Sequence, residues 1–163
     1  MLFRSTVAMA LAIAYLLGSI PTSYIVVYLL TGRDVRGIGN GNPGTMNVWD
    51  NVGLAPALIV AVGDIGKGMA AVSIAYLLGL GNIPALFAGL MAVVGHDYSV
   101  FLRFHGGNGT AAAIGALMAL VPIATLQACA LAFVLYMVTR SKRLSGLVGL
   151  LAVPVLSYVA SYS

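Results

Sequence analysis

The 163-residue sequence has no glutamate, and its only acidic residues are Asp34, Asp50, Asp64 and Asp97. Charged residues make up 7% of it, where a soluble domain carries about a quarter. With 61% hydrophobic residues and a mean hydropathy of +1.03, that scarcity of charge excludes an ordinary water-soluble fold. It indicates an integral membrane protein. The single cysteine, Cys129, excludes an intrachain disulfide and a cysteine metal site; with no base or cation near it in sequence, it reads as a packing residue. Only two histidines are present, His96 and His105, and no carboxylates cluster with them, so no three-ligand metal set emerges and no cofactor is expected. No serine occupies a nucleophile-elbow context, which leaves a Ser-His-Asp triad unassembled. The net charge of +4 lies in short connections between apolar runs, as in membrane loops, and nucleic acid is not an expected partner.

What the sequence does contain is a series of long apolar runs, with length for one membrane domain over residues 1–163 and no soluble domain beside it. The first run covers roughly residues 5–30. It continues too far without a small-x-small cleavage site to be a removed leader, so a membrane helix is expected, kinked or unwound at Gly18-Ser19-Ile20-Pro21. A second run spans about Leu54–Leu80 and a third about Ile83–Leu102. The stretch Thr110–Val138 is either one long helix or, as the internal proline favours, two elements hinged at Val121-Pro122, and a last run covers about Leu144–Ala160. The expected fold is an all-α polytopic bundle of about six transmembrane or half-length helices with two glycine-rich loops. With the N-terminus outside, the connections at 31–51, 103–109 and 140–143 share one face and carry six of the eight basic residues. The positive-inside rule makes that face cytoplasmic.

Polar chemistry concentrates in a few places. The stretch Arg36-Gly-Ile-Gly39-Asn40-Gly41-Asn42-Pro-Gly44-Thr-Met-Asn47 is too rich in glycine and proline for a regular helix. A row of free backbone N–H groups and amides beside an arginine suits a phosphate. Its G-x-G-x-x-G spacing matches a dinucleotide fingerprint, but a membrane span precedes it where that motif needs a strand. The second loop, His105-Gly106-Gly107-Asn108-Gly109, opens onto the helical run from Thr110. It is either an ordinary glycine turn capped by Asn108 or Thr110, or a second anion-binding turn. Asp64 and Lys67, spaced i,i+3 within an apolar run, can pair on one helix face. That pair either fixes helix packing or shapes a polar site, with Gly63, Gly66 and Gly68 allowing another helix to approach. His96, near a helix end, is either bonded to a carbonyl or part of that site.

The order of these motifs resembles the bacterial acyl-phosphate-dependent glycerol-3-phosphate acyltransferases, the PlsY family, over nearly the whole chain. Gly18-Ser-Ile-Pro21, Asp34-Val-Arg36 and Gly39-Asn-Gly-Asn-Pro-Gly-Thr-Met-Asn47 are similar to the family's G-S-I-P, D-x-R and G-S-G-N-x-G-A-T-N. Asp64-x-x-Lys67-Gly68 matches D-x-x-K-G. Gly95-His96 through Val100-Phe-Leu-x-Phe104 to Gly106-Gly-x-Gly109 resembles G-H-x-x-x-V-F-L-x-F-K-G-G-K-G, and Thr139-Arg140 matches a T-R pair. The departures fall where the family touches phosphate. Asn40 replaces a serine, Asp50 an arginine, His105 and Asn108 two lysines, and Arg143 and Gly146 two serines, while the family's last helix with its H-x-x-N motif would lie past Ser163.

The resemblance implies transfer of a fatty acyl group from acyl phosphate to glycerol 3-phosphate, giving lysophosphatidic acid and phosphate with no cofactor and no covalent protein nucleophile. It implies catalytic roles for Asn40, Lys67 and His105. It implies substrate contacts for Arg36, Gly39, Gly41, Asn42, Gly44, Asn47, Asp64, His96, Gly106, Gly107, Asn108, Gly109 and Arg140, with Arg103 or Arg143 offsetting the absent lysines. Membrane lipid is a further partner, and homo-oligomerisation stays open. The alternative is a non-catalytic paralogue that binds a phosphorylated lipid or metabolite, or a membrane-complex subunit.

Overall fold

A computed structural model describes residues 2–162, apart from the side chains of Leu2, Lys142, Arg143, Ser161 and Tyr162. Its described residues form eight α-helices and two single 3-10 turns, in two compact units: residues 1–120 and 121–163. In the first unit, α1 (Leu2–Ser19) gives way to α2 (Thr22–Thr31) at Ile20-Pro21, where proline withdraws a backbone donor. The expected interruption is a true break. After a first connection come α3 (Thr45–Asn51) and α4 (Leu54–Leu77), then α5 (Asn82–Asp97), a second connection, and α6 (Thr110–Leu120). The second unit is a helix pair, α7 (Pro122–Thr139) and α8 (Lys142–Tyr162), with Gly149 of α8 set closely against Ala132. Proline at the first turn of α7 is tolerated because that N–H has no helical acceptor in any case, and it makes the expected hinge a helix boundary.

Among the described residues, four segments are long and apolar enough to cross a membrane: Phe3–Thr31, Leu54–Leu77, Asn82–Leu102 and Pro122–Thr139. The 24 residues of α4 reach roughly 36 Å, enough to cross a hydrocarbon core about 30 Å thick. Large apolar side chains such as Leu29, Val62 and Leu77 point outward, as lipid contact requires, while the interior is made of small ones. Ala10, Ala14, Ala71, Ala75, Ala85, Ala88, Ala92 and Ala116 are buried where α1, α4, α5 and α6 pack together. Glycines permit two close crossings. A Cβ on Gly18 of α1 would strike the Ala92 carbonyl of α5, and one on Gly115 of α6 would strike the Ile65 carbonyl of α4.

Three sequence expectations need correction. The end of the Arg36–Asn47 stretch is helical, because Thr45-Met-Asn47 is free of glycine and proline and α3 starts directly after the extended Gly44. The second span ends earlier than hydropathy suggests: α4 stops at Leu77 with Gly79 left-handed (φ 73°) behind it. The third span reaches Leu102 as expected, α5 stopping at Asp97 and a separate 3-10 turn at Val100–Leu102 completing it. Of the three glycines around Lys67, Gly66 faces open space, while Gly63 and Gly68 lie against Thr22 and Ala112.

Candidate active site

The two glycine-rich connections meet at an open cavity of about 550 Å³, lined by Arg36, Asn40, Gly41, Asn42, Pro43, Asp97, His105, Gly106 and Asn108. Arg36 joins them. Its Nε lies 3.1 Å from both carboxylate oxygens of Asp34 and its Nη2 2.6 Å from Asp34 Oδ2, while Nη1 donates to the Leu102 carbonyl at 3.1 Å. The guanidinium is thus anchored in its own loop and in the other. Its hydrogen bonds hold the Asp34 carboxyl below the usual carboxylate range.

The first loop is tied up internally. The N–H groups of Arg36, Gly37, Ile38, Asn40, Gly41, Asn42 and Gly44 all donate to acceptors within the loop or its flanking residues. The expected row of free amides is therefore absent there: a glycine-rich chain folded this tightly consumes its own donors. Asn47, buried under the loop, is the main fastener. Its Oδ1 accepts from the Asn40 N–H at 3.1 Å and the Asn51 amide at 3.0 Å, and its Nδ2 donates to the Ile38 carbonyl at 2.9 Å. A Cβ at Gly39 would collide with Asn47 and Asn51, and Gly44 lies close to the Asn42 amide. The Ser23 hydroxyl pins the Pro43 carbonyl from α2 at 2.8 Å. Asn40 Oδ1 accepts from the Asn42 N–H and is otherwise at the surface.

The second loop is fastened to α5. Gly106 N–H donates to the Asp97 carbonyl at 2.9 Å and Gly107 N–H to the His96 carbonyl at 3.1 Å. Arg103 and Phe104 bend the chain through left-handed backbone (φ 55° and 63°), and His105 Nδ1 lies 2.6 Å from the Arg103 carbonyl. Among the described residues, the N–H groups of Asn108 and Gly109 have no acceptor. They lead into the first turn of α6 at Thr110, where free donors are expected. Gly109 is pressed against Val93 and Asp97.

Asp64, Lys67 and His96 are buried beneath this surface and do not line the cavity. Lys67 Nζ is 2.9 Å from Asp64 Oδ1, the pair that i,i+3 spacing allows. His96 Nδ1 is 3.6 Å from the same oxygen, a carboxylate neighbour rather than the carbonyl expected for a structural histidine. Arg140 belongs to the second unit, where it caps α7 in left-handed backbone. The Arg143 side chain lies outside the described residues.

A family model described as glycerol-3-phosphate acyltransferase matches residues 8–162. The chain belongs to the glycerol-3-phosphate acyltransferase family. Glycerol-3-phosphate acyltransferase 1 of Dehalococcoides mccartyi is 38% identical over 161 residues, covering 95% of this chain and 77% of the relative. The crystal structure of PlsY, an integral membrane glycerol 3-phosphate acyltransferase, in its glycerol 3-phosphate form superposes with a TM-score of 0.86 at 31% identity, over 96% of this chain and 78% of that one. Its lysophosphatidic acid form gives 0.85 at 30% identity over the same shares. The fold is therefore the all-helical membrane architecture of this acyltransferase family.

Two lining residues of this cavity lie outside the sequence-predicted set, Pro43 and Asp97. Asp97 was findable: it is one of only four acids in the chain and directly follows His96 at a helix end. Pro43 carries no chemical signal of its own.

Proposed function

We propose that the chain transfers a fatty acyl group from acyl phosphate to glycerol 3-phosphate, producing 1-acylglycerol 3-phosphate and inorganic phosphate for phospholipid synthesis. The observation that carries this is the cavity where the two family loops meet, bridged by Arg36, in a chain of that acyltransferase family. The two crystal structures of PlsY, a glycerol 3-phosphate form and a lysophosphatidic acid form, are of the acceptor and product class.

In this reading Arg36, Asn42, Asn108 and the free N–H groups of Asn108 and Gly109 hold phosphate oxygens, while Asn40 and His105 flank the reacting groups. Gly39, Gly41, Gly44 and Asn47 shape the first loop, and Gly106 and Gly107 shape the second. The acceptor hydroxyl oxygen attacks the acyl carbon, the bond from that carbon to the phosphate oxygen breaks, and phosphate departs. The hydroxyl proton passes to the phosphate. An acyl phosphate is already activated, so orientation and charge stabilisation suffice without a protein nucleophile. Arg33, Arg36 and Arg103 on the two loops support a cytoplasmic-facing site by the positive-inside rule. The family match runs without interruption past Val121, which supports one functional membrane domain.

The deciding experiment supplies palmitoyl phosphate and glycerol 3-phosphate to purified protein in detergent. Phosphate and lysophosphatidate are expected in equal amounts. No product above a boiled control, with the substrates still bound, would overturn this reading in favour of a non-catalytic phosphate binder.

A further inference from the structure

Three buried titratable groups near the cavity do not reach it, and their contacts show what they hold instead. Asp64 is 1% exposed, Lys67 7% and His96 8%. Charges placed among helices are costly unless each finds a partner, so a retained pair marks a task. Lys67 Nζ donates at 2.9 Å to the carbonyl of Ile20, in the break between α1 and α2, and contacts Asp64 Oδ1 at 2.9 Å. Asp64 Oδ1 lies 3.6 Å from His96 Nδ1. On the opposite edge of the imidazole, Nε2 abuts Gly107 so closely that a Cβ there would collide with it. The His96 carbonyl also accepts the Gly107 N–H at 3.1 Å.

One line of contact thus runs from Ile20 through Lys67, Asp64 and His96 to Gly107. It ends one residue before Asn108, which lines the cavity.

We propose that Lys67, Asp64 and His96 are positioning residues: they set the second loop at the height where Asn108 and Gly109 meet the acceptor's phosphate, without touching substrate. The proposal rests on the acyltransfer reading of the cavity. It assigns Lys67 to support rather than to chemistry.

The test uses the full chain in detergent. Asp64→Asn combined with Lys67→Met removes both charges at similar volume, so neither is left buried alone. His96→Leu removes both ring nitrogens, and His96→Asn returns a donor near the Nδ1 position. The double variant and His96→Leu should raise KM for glycerol 3-phosphate about tenfold, as displacement of a binding loop does. The kcat should stay within about twofold, with unfolding temperatures close to the unmodified protein, and His96→Asn should recover part of the affinity. An unchanged KM in folded variants overturns the proposal. So does failure of all three variants to fold, which would assign the line to packing alone. If the unmodified chain shows no turnover, the acyltransfer reading fails by itself. Calorimetric binding of glycerol 3-phosphate to the same variants then decides the positioning role.

Discussion

Replacing His105 and Asn108 together with lysine should tighten the grip on glycerol 3-phosphate, and the cavity allows the size of the effect to be worked out. Both residues line it, and it opens to solvent. Its arginine is already engaged: of five guanidinium donors, Nε and one on Nη2 serve Asp34 and one on Nη1 serves Leu102, which leaves two. Asp97 adds a carboxylate to the wall. In water-like surroundings, unit charges 4 Å apart attract by about 1 kcal/mol, so a lysine beside a phosphate dianion gains roughly 2 kcal/mol. Immobilising each flexible side chain costs about 1 kcal/mol. The net for two lysines is roughly 2 kcal/mol, a ten- to thirtyfold lower KM. Steady-state kinetics at low and high salt provide the assay. The gain should shrink at about 1 M salt, where screening acts within about 3 Å. Asn108→Lys alone controls for loss of the His105 contact to Arg103, and should give about half the free-energy gain. An unchanged KM, or a gain indifferent to salt, would refute the view that missing positive charge limits this site.

Two further outcomes follow from packing. Asn47→Ala removes the acceptor for the Asn40 N–H and the donor for the Ile38 carbonyl, at about 1 kcal/mol or more each. The first loop should loosen, with faster hydrogen exchange at residues 38–42 and a severalfold higher KM, while the helices keep their thermal stability within a few degrees. Gly115→Val sets a branched side chain on the Ile65 carbonyl at the α4–α6 crossing, and Gly68 meets Ala112 on the other side of the same contact. Because neither helix backbone can move aside locally, the yield of folded protein should collapse. A folded, active Gly115→Val protein would refute the close crossing.

The membrane class, the break at Ile20-Pro21 and the hinge before Pro122 were legible because each follows from a single local rule: apolar run length, or a proline that removes a donor. The Asp64–Lys67 pair was legible for the same reason, since i,i+3 spacing and the cost of a lone buried charge leave little choice. What stayed hidden depends on contacts between distant segments. Composition showed that the Arg36–Asn47 loop is rich in amides, but only the folded loop shows that Asn47 and the loop's own carbonyls consume most of them. Hydropathy placed the end of α4 too late because Leu78 and Leu80 are apolar, yet the backbone there has already left the helix. Arg36 reads as a free cation until Asp34, two residues away, is seen to hold it.

The irregular backbone of the first unit has one physical logic. A helix that stops within an apolar slab leaves carbonyls that no water reaches, and such ends survive only where protein groups take over. The end of α1 meets two: the Ser99 hydroxyl donates to the Ser19 carbonyl at 2.5 Å, and Lys67 donates to that of Ile20. Ser99 sits in the connection that leads into the second loop, and Lys67 belongs to the line of contacts that ends at Gly107. Both groups that make the break tolerable therefore fasten the neighbourhood of the cavity as well. Straightening the helix at Ile20-Pro21 would strand a lysine and a serine in the interior and release the loop they help to hold. That places the α1–α2 break within the supporting structure of the two cavity loops, although no atom of it lines the cavity.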